Sequence, residues 1–255
     1  MKTELFDYEY RCAGLTDVGS KRKSNQDEAI LAPSLGLFAV SDGMGGLSCG
    51  GESSAYVREA LPLMVETYAA QWQDADADAE TVATQLRECV QLLSDRLFEQ
   101  GNATGFFRFG ATLSCVLLHG TKAIFLCLGD SRGYLLPKYK KDPVPVTEDM
   151  NVAGYLVRNG EMTKEEVAGS PASSRLTAFV GMPAPATPET YIVDVQPGDR
   201  ILLCSDGLYG MVPERELARL MRRSRSPERV CRELIDCANA NGGRDNISAV
   251  YLRII

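Results

Sequence analysis

Histidine is nearly absent from this chain: His119 is the only one in 255 residues, and it sits in the short polar stretch His119-Gly120-Thr121-Lys122 between two apolar runs. A Ser-His-Asp triad needs an imidazole held against its nucleophile, so a lone histidine in an expected surface turn all but excludes it. The eight cysteines never fall in a Cys-x-x-Cys pair, most lie inside apolar runs, and none opens a glycine-rich loop closed by arginine. They read as reduced core thiols, which sets aside zinc, disulfide and cysteine-nucleophile chemistry. Gly45-Gly46 is not followed by Lys-Ser or Lys-Thr, so no nucleotide-phosphate cradle is present by motif. No apolar stretch approaches the roughly 20 residues that span a bilayer, and Met1-Lys2-Thr3-Glu4 opens without a signal-peptide core. A cytoplasmic protein without membrane contact is therefore expected. The net charge of −7 and the lack of a basic run longer than Arg222-Arg223-Ser224-Arg225 argue against nucleic acid, and that run reads as a solvated helix end.

What is present is a repeated phrase. An apolar run ends in Ser-Asp-Gly at Leu37 to Gly43 and again at Ile201 to Gly207. A third acid, Asp130, follows the run Ile124 to Leu128, and a fourth, Asp245, precedes the terminal run Ile247 to Ile255. A carboxylate at the edge of an apolar core loses hydration and needs a partner. Hard divalent cations are such a partner: Mg²⁺ and Mn²⁺ favour oxygen ligands and keep several waters, so a few aspartates spread along the chain suffice. Glycine beside the acid at Gly43 and Gly207 permits a tight bend and leaves a backbone carbonyl accessible as a further ligand. A lone Asp-Gly is usually a turn; the recurrence of the phrase after long apolar runs is what points to one metal site.

Periodicity predicts an opening strand to Thr16, a polar loop from Asp17 to Asp27, and a hairpin of Ala29 to Ala32 with Leu37 to Val40. Two helices follow, about Glu52 to Trp72 and Thr81 to Gln100, the second with an apolar face of Val82, Leu86, Val90, Leu93 and Leu97. The alternating acids of Asp74 to Asp78 read as their connector. Strands at Ala111 to Leu118, Ala123 to Leu128 and Gly133 to Leu136 are expected to form an antiparallel meander. Two short helices, Asn151 to Gly160 and Thr163 to Ala168, fall in a more polar insertion spanning about 149–177, expected to form a flap. Strands at Tyr191 to Val195 and Arg200 to Ser205, helices at Pro213 to Arg223 and Pro227 to Ala240, and a last strand at Asn246 to Ile255 complete the chain. This order predicts an α+β fold, two stacked antiparallel sheets each covered by a helix pair, as one domain over 1–255.

With the motifs assembled, the chain resembles the metal-dependent protein phosphatases of type 2C in their bacterial form. The likeness rests on Asp17-Val18-Gly19 with Arg22 and Asn25-Gln26-Asp27, then Ser41-Asp42-Gly43-Met44-Gly45-Gly46, Gly110-Ala111-Thr112, Gly129-Asp130-Ser131-Arg132, Leu176-Thr177, Ser205-Asp206-Gly207 and Asp245-Asn246-Ile247-Ser248, in that order. The resemblance implies a four-layer αββα sandwich with two Mn²⁺ or Mg²⁺ ions in a cleft at one end. It implies Asp42 as the bridging ligand, Asp206 and Asp245 on one ion, the carbonyl of Gly43 on the other, and Asp130 with Asp206 on a weaker third. Arg22 would bind the substrate phosphate, and Asp27 would stand near the second ion through water. Two ions sharing a water lower its pKa and present a hydroxide to phosphorus, and a guanidinium fork can hold two phosphate oxygens. The implied partners are phosphorylated proteins made by a Ser/Thr kinase, and a monomer is expected.

Four positions depart from what many relatives carry. Met44 stands where eukaryotic members often have a histidine, Gln26 replaces a common glutamate, Gly210 a frequent aspartate, and Met150 a frequent histidine. Fewer carboxylates imply a weaker hold on metal. They leave open two other readings, a phosphatase-fold sensor with weakened catalysis and a phosphatase of small metabolites.

Overall fold

The computed structural model describes residues 1, 3–44, 49–74, 77–104, 109–167, 170–183 and 185–255. Gly45 and Gly46 of the second motif, the middle of the acidic connector and Ala168 lie outside them. In chain order the elements are β1 (Tyr10–Asp17), β2 (Asp27–Ala32), β3 (Leu37–Met44), α1 (Cys49–Asp74), α2 (Ala79–Thr104), β4 (Gly110–Ala111), β5 (Leu113–His119), β6 (Lys122–Leu128), β7 (Arg132–Leu136), β8 (Val144–Pro145), α3 (Val152–Arg158), α4 (Lys164–Val167), β9 (Glu189–Asp194), β10 (Arg200–Cys204), α5 (Asp206–Tyr209), α6 (Glu214–Arg223), α7 (Pro227–Ala240) and β11 (Ile247–Ile254).

The strands make two antiparallel sheets, one ordered β1-β11-β10-β7-β8 and the other β2-β3-β5-β6-β9, with β4 on the end of β3. Alternation along each strand explains the layering, because successive side chains leave opposite faces. On β3, Phe38 and Val40 face the other sheet while Leu37 and Ala39 face the first helix pair. On β11, Val250 and Leu252 point between the sheets and Ala249 and Tyr251 point toward α6 and α7. Three apolar layers result, one between the sheets and one under each helix pair, which is the αββα sandwich. The expected apolar face of α2 is wholly buried: Val82, Leu86, Val90, Leu93 and Leu97 all have 0% exposure. No helix among the described residues is long and apolar enough to cross a membrane.

The expected meander is corrected. β5 and β6 pair, but β7 crosses to the other sheet and pairs with β10. The crossing follows Gly129, at φ +120°, where a Cβ would meet Thr112 at 2.7 Å. β9 and β10 part in the same way, β9 pairing with β6. An apolar run that covers both of its faces carries no mark of the sheet it belongs to. Three smaller expectations also shift. β3 runs two residues past Asp42 to Met44. Pro213 precedes α6 as its cap, whereas Pro227 lies in the first turn of α7. His119 is half-buried, its Nε2 sharing a 2.6 Å hydrogen bond with the carbonyl of Ala77 that pins the α1–α2 connection.

Candidate functional site

The strand ends that carry the acids meet at one end of the sandwich. Asp42 of β3 lies opposite Asp27 of β2 in register. Thr112 fixes Asp42 from the next strand: its Oγ1 accepts from the Asp42 amide at 3.0 Å, and its own amide donates to the Asp42 carbonyl at 2.8 Å. The same Oγ1 is 2.7 Å from the Ser131 hydroxyl, which ties in the loop bearing Asp130. From the other sheet, Ser205 at the end of β10 donates to Asp27 Oδ2 at 2.7 Å and accepts from the Ser248 amide at 3.0 Å, so one hydroxyl bridges the two sheets beneath the cleft. Asp206, next in sequence, opens α5. Asn246 holds the remaining wall. Its amide group donates to the carbonyls of Val18 and Ser24 at 2.9 Å each, and its Oδ1 accepts from Gln26 N at 2.9 Å, which secures the loop of Arg22 against Asp245.

Gly43 has a local reason for its identity. A Cβ there would lie 1.9 Å from the Gly50 carbonyl oxygen, so the first turn of α1 packs directly on this backbone. A Cβ on Gly50 would in turn sit 2.6 Å from the Gly43 carbonyl oxygen.

The electrostatics show how closely the acids are gathered. Burial raises the Asp42 carboxyl well above its ordinary value, and Asp27, Asp206, Asp130 and Asp245 each push it further. Asp27 is raised to about 6 by burial against the opposing hydrogen bond of Ser205. Asp206 reaches about 6, from burial and the charge of Asp245, and Asp130 about 7, from burial and the charge of Asp206. Oδ1 of Asp27 and Oδ1 of Asp206 are buried without a hydrogen-bond partner among the described residues. Unpartnered buried carboxylate oxygens and mutual repulsion are what a cation would relieve, and an all-oxygen donor set suits a hard one. The residues therefore fit Mn²⁺ or Mg²⁺. Among the described residues no three acids already close around one point. Repelling carboxylates without a cation between them have no reason to, and ions that keep most of their water need few carboxylates each.

One pairing was not legible in the sequence. Arg22, expected on phosphate, and Asp245, expected on metal, hold each other at 2.6 Å. A second network was missed outright. Arg132 makes two bonds to Asp149, at 2.8 and 2.7 Å, and its guanidinium lies 3.7 Å from the ring centre of Tyr209. It thereby braces the loop after Asp130 against the helix that begins at Asp206. Asn151 adds a 3.3 Å bond to Asp130 Oδ2 while its Oδ1 caps α3. Arg132 lies in a quoted motif, but nothing in the sequence tells which acid it meets.

An αββα sandwich with an acidic cleft between its strand ends defines the class. The chain belongs to the protein phosphatase 2C family, whose model matches residues 20–249, and that family is metal-dependent. Among its relatives is the serine/threonine phosphatase stp of Listeria monocytogenes serovar 1/2a, 30% identical over 243 residues covering 93% of each chain. Among solved structures, the phosphatase MsPP of Mycobacterium smegmatis in complex with cacodylate is 30% identical at a TM-score of 0.79, with 96% of this chain and 98% of that one covered. The catalytic domain of the phosphatase PstP in complex with two manganese ions is 26% identical at a TM-score of 0.77, with the same coverages.

Proposed function

We propose that the protein hydrolyses phosphoserine and phosphothreonine in phosphorylated proteins produced by a Ser/Thr kinase, with two Mn²⁺ or Mg²⁺ ions held by Asp42, the Gly43 carbonyl, Asp206 and Asp245. Asp130 with Asp206 is the place for a weaker third. The observation that carries the reading is the set of mutually raised carboxyls around Asp42, with Asp206 Oδ1 left unpartnered. When bound, the ions supply Lewis acidity and an activated water at the phosphorus. The manganese of the PstP structure and the tetrahedral oxyanion of the MsPP structure support that chemistry by kinship.

The rest follows from this chain's residues. Asp245, once it carries a cation, no longer needs Arg22, whose side chain is 53% exposed and has room to turn. The freed fork takes two phosphate oxygens and offsets the charge that builds as the ester bond breaks. Asp27, fixed by Ser205, orients solvent at the cleft floor. Met44 has no proton to give, so the leaving alkoxide is protonated by solvent. The stretch from about 149 to 177 is the flap against which a protein substrate rests, joined to the cleft through Asn151.

The test is phosphopeptide and p-nitrophenyl phosphate turnover across a Mn²⁺ titration for the wild type beside Asp42→Ala and Asp206→Ala. Turnover that depends on Mn²⁺ and vanishes in both variants is expected. Metal binding by calorimetry with no phosphate release from folded wild type would overturn the reading in favour of a sensor. A far higher kcat/KM on metabolites than on phosphopeptides would replace the substrate.

A further inference from the structure

The register of β1, β11 and β10 places Arg11 opposite Arg253 and Arg253 opposite Arg200. Directly opposed residues on neighbouring antiparallel strands share a face, with Cα atoms about 4.5–5.5 Å apart, so three arginines form a row across the sheet. Two residues along from each, Ala13, Tyr251 and Leu202 belong to the layer under α6 and α7. The row is therefore on the outer face, at the end of the sheet remote from Asp17, Asp206 and Asp245.

Like charges set directly opposite one another are unfavourable, and this row is not neutralised from within. Among the described residues none of the three has an acid within 4 Å, whereas nine other ion pairs occur. The Nε atoms of Arg200 and Arg253 are buried without a hydrogen-bond partner among the described residues. Arg200 Nη1 donates to the Gly198 carbonyl at 3.1 Å, which is not an anion. Glu228 feels Arg11, but its carboxyl is lowered first by the Ser226 hydroxyl, which donates to it at 2.5 Å.

The basic run that stood out in the sequence lies at the same place. The Tyr251 hydroxyl donates to the Met221 carbonyl at 2.8 Å, and Cys231 Sγ is 3.4 Å from the Ala13 carbonyl, so the α6–α7 connection lies beside the row. The last turn of α6 carries Arg222, whose guanidinium donates to the Lys140 carbonyl, and the connection carries Arg225; neither has an acid within 4 Å among the described residues, and the connection leads into α7, whose first-turn amides add partial positive charge. Arg223 alone in the run is matched, by Glu233 at 3.5 Å.

We propose that this strip is a docking surface for an acidic segment of a partner protein, on the face of the sandwich away from the metal cleft. A concentration of arginine without ion-pair partners among the described residues, on a chain of net charge −7, complements a carboxylate-rich strand. Arginine's fork matches carboxylates two oxygens at a time, and guanidinium groups fixed on strands lose little freedom on binding. An anionic bilayer fits less well, because Arg200 and Arg253 are half-buried and do not reach a plane.

The experiment is fluorescence anisotropy of a fluorescein-labelled peptide of alternating glutamate and serine, titrated with the full chain at two salt concentrations. Binding that weakens with salt is expected, with affinity lowered about tenfold or more by R11Q/R200Q/R253Q. Because that variant alters a sheet, R222Q/R225Q, at the end of α6 and on the connection after it, is measured beside it and is expected to weaken binding as well, with p-nitrophenyl phosphate turnover unchanged in both. No binding by the wild type, or binding by either variant as tight as that of the wild type, overturns the proposal. Uptake by phosphatidylserine vesicles without peptide binding also overturns it, and assigns the strip to a lipid surface.

Discussion

Asp206→Asn, studied without metal, isolates the consequence of packing unscreened carboxylates together. Asp206 is raised from 3.8 to about 6 by burial and by Asp245. Between those two values the folded protein holds the proton more tightly than the unfolded chain does. Stability of the metal-free protein therefore falls as pH rises from about 4, and the loss is complete above the folded value. A shift of about 2 units at 1.36 kcal/mol each corresponds to about 3 kcal/mol of destabilisation at pH 8 from this group. Asparagine keeps the size and an acceptor oxygen but cannot ionise. In EDTA at pH 8, Asp206→Asn should therefore melt higher than the wild type by roughly 6–12 °C for a chain of this length. At pH 4 the two should melt together. With excess Mn²⁺ at pH 8 the order should reverse, since the wild type gains a cation that the variant has lost a ligand for. Thermal melts followed by circular dichroism across this grid decide the matter. A metal-free variant no more stable than wild type at pH 8 would refute the electrostatic account of the cleft.

Arg22→Ala should leave the melting temperature within about a degree, because the Arg22–Asp245 pair is largely exposed, while lowering kcat and leaving Mn²⁺ affinity at least as strong in calorimetry. Ser205→Ala removes the hydroxyl that serves both Asp27 and the Ser248 amide, both buried, and should cost about 1–3 kcal/mol in urea unfolding. Arg132→Met strands Asp149 without its cation, and with side chains only 29% and 17% exposed the loss should be about 3 kcal/mol. Its Mn²⁺ titration should also shift to higher concentration, because the loop of Asp130 and the helix of Asp206 lose their brace.

Much of the fold was readable along the chain. The helix face of α2, the β2–β3 hairpin and the apolar runs of β3, β10 and β11 are local patterns, each fixed by residues within a few positions of one another. The placement of acids beside strand ends was equally local, since Asp-Gly after an apolar run has few conformations to choose from. The split of β6 from β7 was not readable. Both runs are apolar on both faces, and the partner of each is chosen by competition among distant strands. The pairs Arg22–Asp245, Arg132–Asp149 and Ser205–Asp27 stand 223, 17 and 178 positions apart. Side-chain chemistry states that each needs a partner without saying which.

By itself the sequence determined what kinds of element form, where they end, and that a set of oxygen donors waits at those ends, because these depend on backbone propensity, periodicity and the chemistry of single residues. Only the tertiary structure decided which strands share a sheet, that Asp245 holds Arg22, and that three arginines with no ion-pair partner among the described residues stand in a row across β1, β11 and β10. Those outcomes depend on register between segments far apart in the chain, where one residue of slip would turn each of these side chains to the opposite face.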